Sequence, residues 1–499
     1  MIQSSISLLN VSGAALCIAV VAGCASLALQ WRARSRGLLL PPGPLGLPLL
    51  GNVFNFPTAF SWIKFQELSA EYGDVQYFRV LGQSIVVLNS ATAISEYLDK
   101  NSANTSDRAQ SFVLMVELTG NGHNLGFMRY GQRWRDHRRV LWQYFRGDAA
   151  RAQQPTQRAV AHIFLEKLLT SPSKLEKHIR YAFAGSILHV TYGIDYTSDA
   201  GDKYSEAMST AIVSATEGLV PGRFMVQYSN SSLLAQWRED NRKAIEMPYE
   251  YAQAEMHRQR SVQESMVGQH IAQLDRAGGI SHDDEEVLKH ARPLHSKLVN
   301  APAGADTAII MEIMRWYNVA PFGIPHGHVC TIHICSQPLE FRPERFIKDG
   351  EIDTTLVDPT VFIFGFGRRI CPGRHFARSA IFITVASLLH GFDLSAPLDD
   401  RGEPIKIQPR FTDGLLSYPE DYRCTITPRS DSHAELIRAN AAAARAALEA
   451  VENPTSRHAY SGERERAARG PSIAEWTEEW GVGSDRGRDQ HAFVGFPIQ

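Results

Sequence analysis

From Val11 to Leu29 the chain reads VSGAALCIAVVAGCASLAL, with no charged side chain anywhere in its first thirty residues. A run of this length matches the ~20 apolar residues that cross a bilayer core as a helix. No basic residue precedes it, as a cleaved signal peptide would require, and Arg32, Arg34 and Arg36 follow it. Residues 1–36 are therefore expected to form a membrane anchor with a basic flank, an N-terminal transmembrane helix, and the positive-inside rule puts the body in the cytosol. The next segment, 37–52, contains LLLPPGPLGLPLLGN, whose prolines and glycines cannot continue a helix and predict a stiff hinge. Beyond it the spacing turns mostly helical. SIVVLN (84–89) is a short β-branched run that suits a strand. RYGQRWRDHRRVLWQYF (129–145) lines up Trp134, Arg138, Leu141 and Phe145 on one helical side. An Ala-rich helix is predicted from Ser432, followed by a loose polar tail to Gln499. The pattern predicts a mainly α body over 53–430 with small β-sheets, and a separate tail over 431–499.

With 499 residues, 44% of them hydrophobic, the chain can bury a large core. A formal net charge of −2 gives no global attraction to nucleic acid, so a nucleic-acid partner is disfavoured. The six cysteines, Cys17, Cys24, Cys330, Cys335, Cys371 and Cys424, are too scattered for a disulfide framework and suit a reducing compartment.

The richest chemistry lies in FGFGRRICPGRHFARSAIFITVASLLHGF (364–392). Pro372 fits the first position of a helix that Gly391 closes, which leaves Cys371 at the positive end of the helix dipole. Arg369 and Arg374 add positive charge, so the sulfur is favoured as a thiolate. Gly365, Gly367 and Gly373 are expected to leave backbone uncovered around it, room for a flat cofactor and for N–H groups to reach the sulfur. A buried structural cysteine would explain neither the glycines nor the arginines. Elsewhere, His326, His328, Cys330, His333 and Cys335 offer close-spaced nitrogen and sulfur donors, but their spacing fits no common zinc pattern.

Phe364-x-x-Gly367-x-Arg369-x-Cys371-x-Gly373 resembles the haem-binding signature of the cytochrome P-450 family. Trp134-x-x-x-Arg138 is similar to that family's haem-propionate helix, and Glu312-x-x-Arg315 to its Glu-x-x-Arg motif. Pro343-Glu344-Arg345-Phe346 is similar to the segment that completes the Glu-Arg-Arg cluster. The anchor and Pro-rich hinge resemble microsomal members, and the ending PRFTDGLLSYPEDYRCTITPRS resembles the fungal branch. The resemblance implies a cytochrome P-450 fold and a haem monooxygenase acting on an apolar small molecule with O2, and the likeness to the fungal branch points to secondary metabolism. Cys371 would be the axial ligand of haem b iron, its thiolate pushing electron density that helps break the O–O bond. Trp134, Arg138 and Arg369 would hold the propionates. Glu312, Arg315 and Arg345 would form a structural ion-pair cluster. The resemblance further implies an endoplasmic reticulum location with the catalytic domain cytosolic. NADPH would supply electrons through a membrane-bound flavoprotein reductase, with Arg138, Arg139, Arg374 and Arg378 as candidate docking contacts.

Ala303-Gly304-Ala305-Asp306-Thr307 resembles the distal oxygen-activating helix, with Asp306 and Thr307 as the proton-delivering pair. In the family this motif and Glu-x-x-Arg lie several tens of residues apart on opposite sides of the haem. In this chain Thr307 and Glu312 would be about 7.5 Å apart on one helix, or at most roughly 18 Å if extended. A deletion is expected there, and a second between residues 325 and 341, which would leave the fold incomplete. Either Asp306-Thr307 or the Glu312-Arg315 pair should then be displaced. The alternatives to a working monooxygenase are a truncated, impaired haem-binding remnant and a non-catalytic membrane protein.

Overall fold

The computed structural model describes residues 22–23, 26, 39–108, 116–195, 199–218, 231–258, 260–276, 281–290, 305–316, 319–320, 329–330, 340–414 and 416–452. Most of the apolar run 11–29, Arg32, Arg34 and Arg36, and the tail beyond Glu452 lie outside them. Among the described residues no helix is long and apolar enough to cross a membrane.

The hinge ends as part of a sheet. Helix α1 (Ser61–Tyr72) precedes an antiparallel hairpin of β1 (Val75–Val80) and β2 (Gln83–Leu88), whose alternation buries Phe78 and Val87 against Phe65 of α1. The Tyr77 amide donates to the Pro42 carbonyl at 2.8 Å, and the Arg79 amide to Asn52 Oδ1 at 2.8 Å. Residues 42–52 are thus pinned along the edge of β1 and are no free spacer. Gly51 is obligatory there: its φ is +65°, and a Cβ would lie 1.9 Å from the Arg79 carbonyl oxygen.

The helical body follows, with α2 (Gln132–Phe145), α3 (Gln154–Thr170), α4 (Leu175–Tyr192), α5 (Asp199–Gly218), α6 (Ser231–Glu255), α7 (Met266–Arg276), α8 (His282–His290) and α9 (Ala305–Trp316). A two-residue strand, β3 (Val329–Cys330), joins β2 in parallel. A short hairpin pairs β4 (Ile347–Lys348) with β5 (Glu351–Ile352). Helix α10 (Arg374–Gly391) runs into β6 (Phe392–Ser395), which pairs antiparallel with β7 (Thr425–Pro428), and α11 (Asp431–Glu452) closes the described chain.

Two cores carry the body. One gathers Trp134, Leu141 and Phe145 of α2 with Leu188 and Tyr192 of α4, Met266 of α7 and Phe376 of α10. The other gathers Ile163, Phe164 and Leu168 of α3 with Phe392, Ile426, and Ile437 and Ala444 of α11. The Ala-rich helix therefore shares its core with the body, and a boundary at residue 430 divides residues that are packed together. Its small alanines allow the close approach to α3, and Arg445 pairs with Glu166 across the contact.

Candidate active site

Helix α10 starts at Arg374, two residues later than Pro372 predicts, because the preceding loop uses those positions to enclose the sulfur. The Cys371 amide donates back to the Phe364 carbonyl at 2.8 Å, and the Gly373 amide donates to Cys371 Sγ at 3.3 Å. An N–H thus reaches the sulfur, as the glycine pattern predicts. Gly367 has a different task. At φ +53° its Cβ would lie 2.1 Å from the Leu98 carbonyl oxygen, and its amide donates to Asp99 Oδ1 at 2.6 Å. It lets the loop dock on residues 98–99. Gly365 faces open space: a Cβ there would meet only the Arg369 carbonyl oxygen, 3.9 Å away. Phe364 is buried beneath the loop.

Opposite this loop, α2 presents Trp134 and Arg138, one turn apart and each 4% exposed. The Arg369 guanidinium carbon stands 4.7 Å from the Trp134 ring centroid and that of Arg138 stands 5.9 Å from it. Arg369 Nε donates to the Ser106 carbonyl at 2.7 Å, while its Nη2 and Trp134 Nε1 are buried with no hydrogen-bond partner in the structure. A third cation, Arg108, is buried beside them and donates to the Gly126 carbonyl at 2.9 Å. No motif marks Arg108 in the sequence; only packing shows it.

The electrostatics of this group are those of positive charge held out of water. Burial pushes Arg138 down to about 9; the Cys371 sulfur opposes this, and repulsion from Arg374 and Arg369 adds to it. Burial pushes Arg369 down to about 10 and, with repulsion from Arg369, pushes Arg108 well below its ordinary value. The neighbouring carboxylate, Asp107, is occupied by the Arg129 guanidinium at 2.7 Å and the Tyr130 amide at 2.9 Å. Burial raises its carboxyl, and those hydrogen bonds reverse this and bring it to about 2. Buried guanidiniums and orphaned N–H donors in one place are a receptor for carboxylates. Burial also removes Arg138 from the docking contacts expected from the sequence: a side chain 4% exposed cannot meet a partner protein. Arg139 is exposed and paired with Asp136 at 3.0 Å.

A second charged group is closed on itself. Arg315 Nε donates to Glu312 Oε2 at 2.6 Å and its Nη2 to Oε1 at 2.8 Å, the Arg342 amide donates to Oε1 at 2.6 Å, and Arg345 Nε to Oε1 at 3.2 Å. Arg315 and Arg345 both also donate to the Glu340 carbonyl, at 3.0 and 3.1 Å. Burial raises the Glu312 carboxyl, and these donors and charges more than reverse it, holding it below its ordinary value. Asp306 and Thr307 form the first turn of the same helix, α9, which packs Ile310 and Met314 against Ile381 of α10. Thr307 and Glu312 are thus five residues, about 7.5 Å of helix rise, apart. The ion-pair cluster is kept and Asp306-Thr307 travels with it; the Asp306 side chain lies outside the described ones.

Of the proposed zinc donors, only the backbone of Cys330 lies among the described residues, and His326, His328, His333 and Cys335 lie outside them.

The family model for cytochrome P450 matches residues 41–274 and 333–425, which include Trp134, Arg138, Arg345 and the whole Cys371 loop. The chain belongs to the cytochrome P450 family. It is similar to the tryptamine 4-monooxygenase of Psilocybe cyanescens, 30% identical over 496 residues that span 82% of this chain and 97% of the relative. It is also similar to the cytochrome P450 monooxygenase COX2 of Coprinopsis cinerea, 29% identical over 87% of this chain and 98% of that one, and to ple1 of Rhodocybe pseudopiperita, 29% identical over 80% and 91%. As a P450 the chain is a monooxygenase, and haem is the cofactor its family implies. The orphaned donors Trp134 Nε1 and Arg369 Nη2, the buried arginines and the N–H-supported sulfur fit that cofactor's two carboxylates and its iron. The match to the tryptamine enzyme runs over 496 residues while using only 82% of this 499-residue chain, so that relative carries stretches that this P450 lacks. The family model is likewise interrupted between residues 274 and 333, around Asp306, Thr307, Glu312 and Arg315.

Proposed function

We propose that this P450 is a membrane-anchored haem-thiolate monooxygenase of secondary metabolism that inserts one oxygen atom from O2 into an apolar small molecule. The observation that carries the reading is the set of buried cations, Arg108, Arg138 and Arg369, gathered with Cys371 where the nearby carboxylate among the described residues, Asp107, is already committed to Arg129 and Tyr130. Trp134 Nε1, Arg138 and Arg369 would bind the propionates of haem b, and Cys371 would bind its iron. Haem, when bound, supplies the activation of dioxygen and the oxidising power. The chain's own contribution is to hold the sulfur anionic through the Gly373 amide and to fix the cofactor's edge. Asp306 and Thr307 are proposed to carry protons to the oxygen site.

Membrane attachment by residues 1–36, in the endoplasmic reticulum and with the body in the cytosol, is part of the proposal. The exposed leucines Leu39, Leu45, Leu47 and Leu49 directly after that segment support it. NADPH and a membrane-bound flavoprotein reductase are proposed as the electron source. The relative named a tryptamine monooxygenase makes an arylethylamine a first substrate to try.

A second reading is favoured by α9, where the oxygen-helix motif and the ion-pair motif share one short helix. With those stretches missing, the chain would bind haem yet leave the oxygen side open to water, which discharges the activated state as peroxide. The deciding experiment loads the chain with haem b, records the reduced carbonyl spectrum, then measures product formed per NADPH oxidised with a reductase present. A long-wavelength Soret band with product formed is the outcome of the first reading, and the same band with peroxide in place of product is the outcome of the second. Absence of that band in the loaded chain refutes the haem-thiolate reading; stoichiometric product refutes the impairment.

A further inference from the structure

We propose that Tyr130 is a positioning residue of the cofactor clamp: its ring and hydroxyl hold Arg368, Arg369 and the Trp134 indole in the arrangement that receives two carboxylates. The inference rests on the haem reading above and concerns residues that no motif marks. Arg368 and Arg369 lie on the cysteine loop and Trp134 on α2, more than two hundred residues away in sequence, so something must register one against the other. Tyr130 stands at that junction. Arg368 Nη1 donates to Tyr130 Oη at 2.9 Å. The guanidinium carbons of Arg368, Arg369 and Arg135 lie 5.6, 5.9 and 5.7 Å from the Tyr130 ring centroid. The ring is tilted against the Trp134 indole with centroids 5.0 Å apart.

The tyrosine is itself fixed. Its amide donates to Asp107 Oδ1 at 2.9 Å, and Asp107 is locked by Arg129. Three guanidiniums, those of Arg135, Arg368 and Arg369, gather at this ring, Arg135 also donating to Gln132 Oε1 and Arg369 to the Ser106 carbonyl, and their like charges oppose so close an approach. An aromatic ring attracts cations through its electron-rich faces without neutralising them, so their N–H groups remain available to an incoming carboxylate. A carboxylate at this position would satisfy the arginines and compete with the cofactor. A ring gathers them and leaves the charge unspent.

Packing alone is the rival explanation, since Tyr130 also rests against the core around Trp134. The two are separated by a cofactor whose carboxylates are removed. Binding of haem b and of its dimethyl ester to the cofactor-free chain is measured by absorbance titration for the wild type, Tyr130→Leu and Tyr130→Phe. If Tyr130 works through the guanidiniums, Tyr130→Leu weakens haem b about tenfold and the ester less than about twofold, and Tyr130→Phe falls between Leu and wild type for haem b. Equal weakening of both forms by Tyr130→Leu, or of neither, overturns the proposal. Should the Leu variant not fold, Tyr130→Phe is combined with Arg368→Gln. The two changes remove one shared hydrogen bond and are expected to weaken haem b no more together than singly, and additive losses overturn the proposal. A wild-type chain that takes up neither form refutes the haem reading itself, and this inference with it.

Discussion

The two arginine clusters of this P450 are built alike and balanced oppositely. Around Glu312, two guanidiniums and a backbone amide surround a carboxylate that is 0% exposed, with Arg315 5% and Arg345 11% exposed at the side chain. Both guanidiniums there share one carboxylate of the chain. Around Trp134, the guanidiniums of Arg108, Arg138 and Arg369 are held out of water too, but the nearby carboxylate among the described residues, Asp107, is committed to Arg129 and Tyr130. A buried ion cluster closed round its own carboxylate serves the fold, whereas one that keeps orphaned donors, here Trp134 Nε1 and Arg369 Nη2, suits a ligand that accepts from them. The first should therefore govern stability with or without cofactor, and the second should govern retention of the cofactor.

The largest test removes the centre of the open cluster's ligand. Cys371→Ala is expected to abolish the long-wavelength Soret band of the reduced carbonyl complex, while Cys424→Ala, half-buried near α3, should leave it unchanged. Retention of the band in Cys371→Ala would show that the two clusters do not differ as described.

Glu312→Gln attacks the closed cluster. It leaves Arg315 and Arg345 buried without a counter-charge and is expected to destabilise the chain by about 3–5 kcal/mol in denaturant unfolding, to the same extent with and without haem. A loss seen only in the haem-loaded protein would make Glu312 part of the cofactor site.

Arg138→Met attacks the open cluster and should act with the opposite asymmetry. The cofactor-free chain is expected to lose less stability than the haem-loaded one, because the carboxylate that Arg138 would hold comes with the cofactor. Transfer of haem to an acceptor globin should accelerate by at least about tenfold, since a charge-assisted hydrogen bond contributes about 1.5–3 kcal/mol. Equal destabilisation of both forms would erase the distinction between the clusters.

The smallest effect is on pH dependence. The Glu312 carboxyl is held below its ordinary value of 4.5, so in the window below that value the unfolded chain takes up the proton first. The stability that Glu312 contributes is fully present above about pH 4.5 and is lost as pH falls through its folded value. Stability of the wild type measured from pH 6 downward should fall more steeply than that of Glu312→Gln. Parallel curves would mean that the cluster does not hold the carboxylate ionised.

Much of this site is readable along the chain because its chemistry is written in contiguous residues. The Cys371 loop needs its glycine, arginine and proline at fixed offsets, the α2 face needs Trp134 and Arg138 one turn apart, and Glu312 reaches Arg315 within one turn of α9. The start of α10 lies two residues beyond the one Pro372 predicts because a helix-initiating proline states where a helix can begin, not whether the loop before it has other uses for those amides. The hinge reads as a spacer because proline and glycine spacing carries no information about the Tyr77 and Arg79 backbone that pins it.

By itself the sequence determined the Cys371 loop and the residue types of both clusters, since each depends on covalent neighbours or on a single helical turn. Only the tertiary structure decided which charges are buried and which are balanced. Burial of Arg138, which takes it out of reach of a docking protein, comes with the packing of α2 into a core shared with α4 and α10. The arrival of Arg108 and Tyr130 beside Arg369, and the docking of α11 into the body's core, join segments hundreds of residues apart. Desolvation and charge pairing are set by what lies within a few ångströms in space, and no local pattern records those distances.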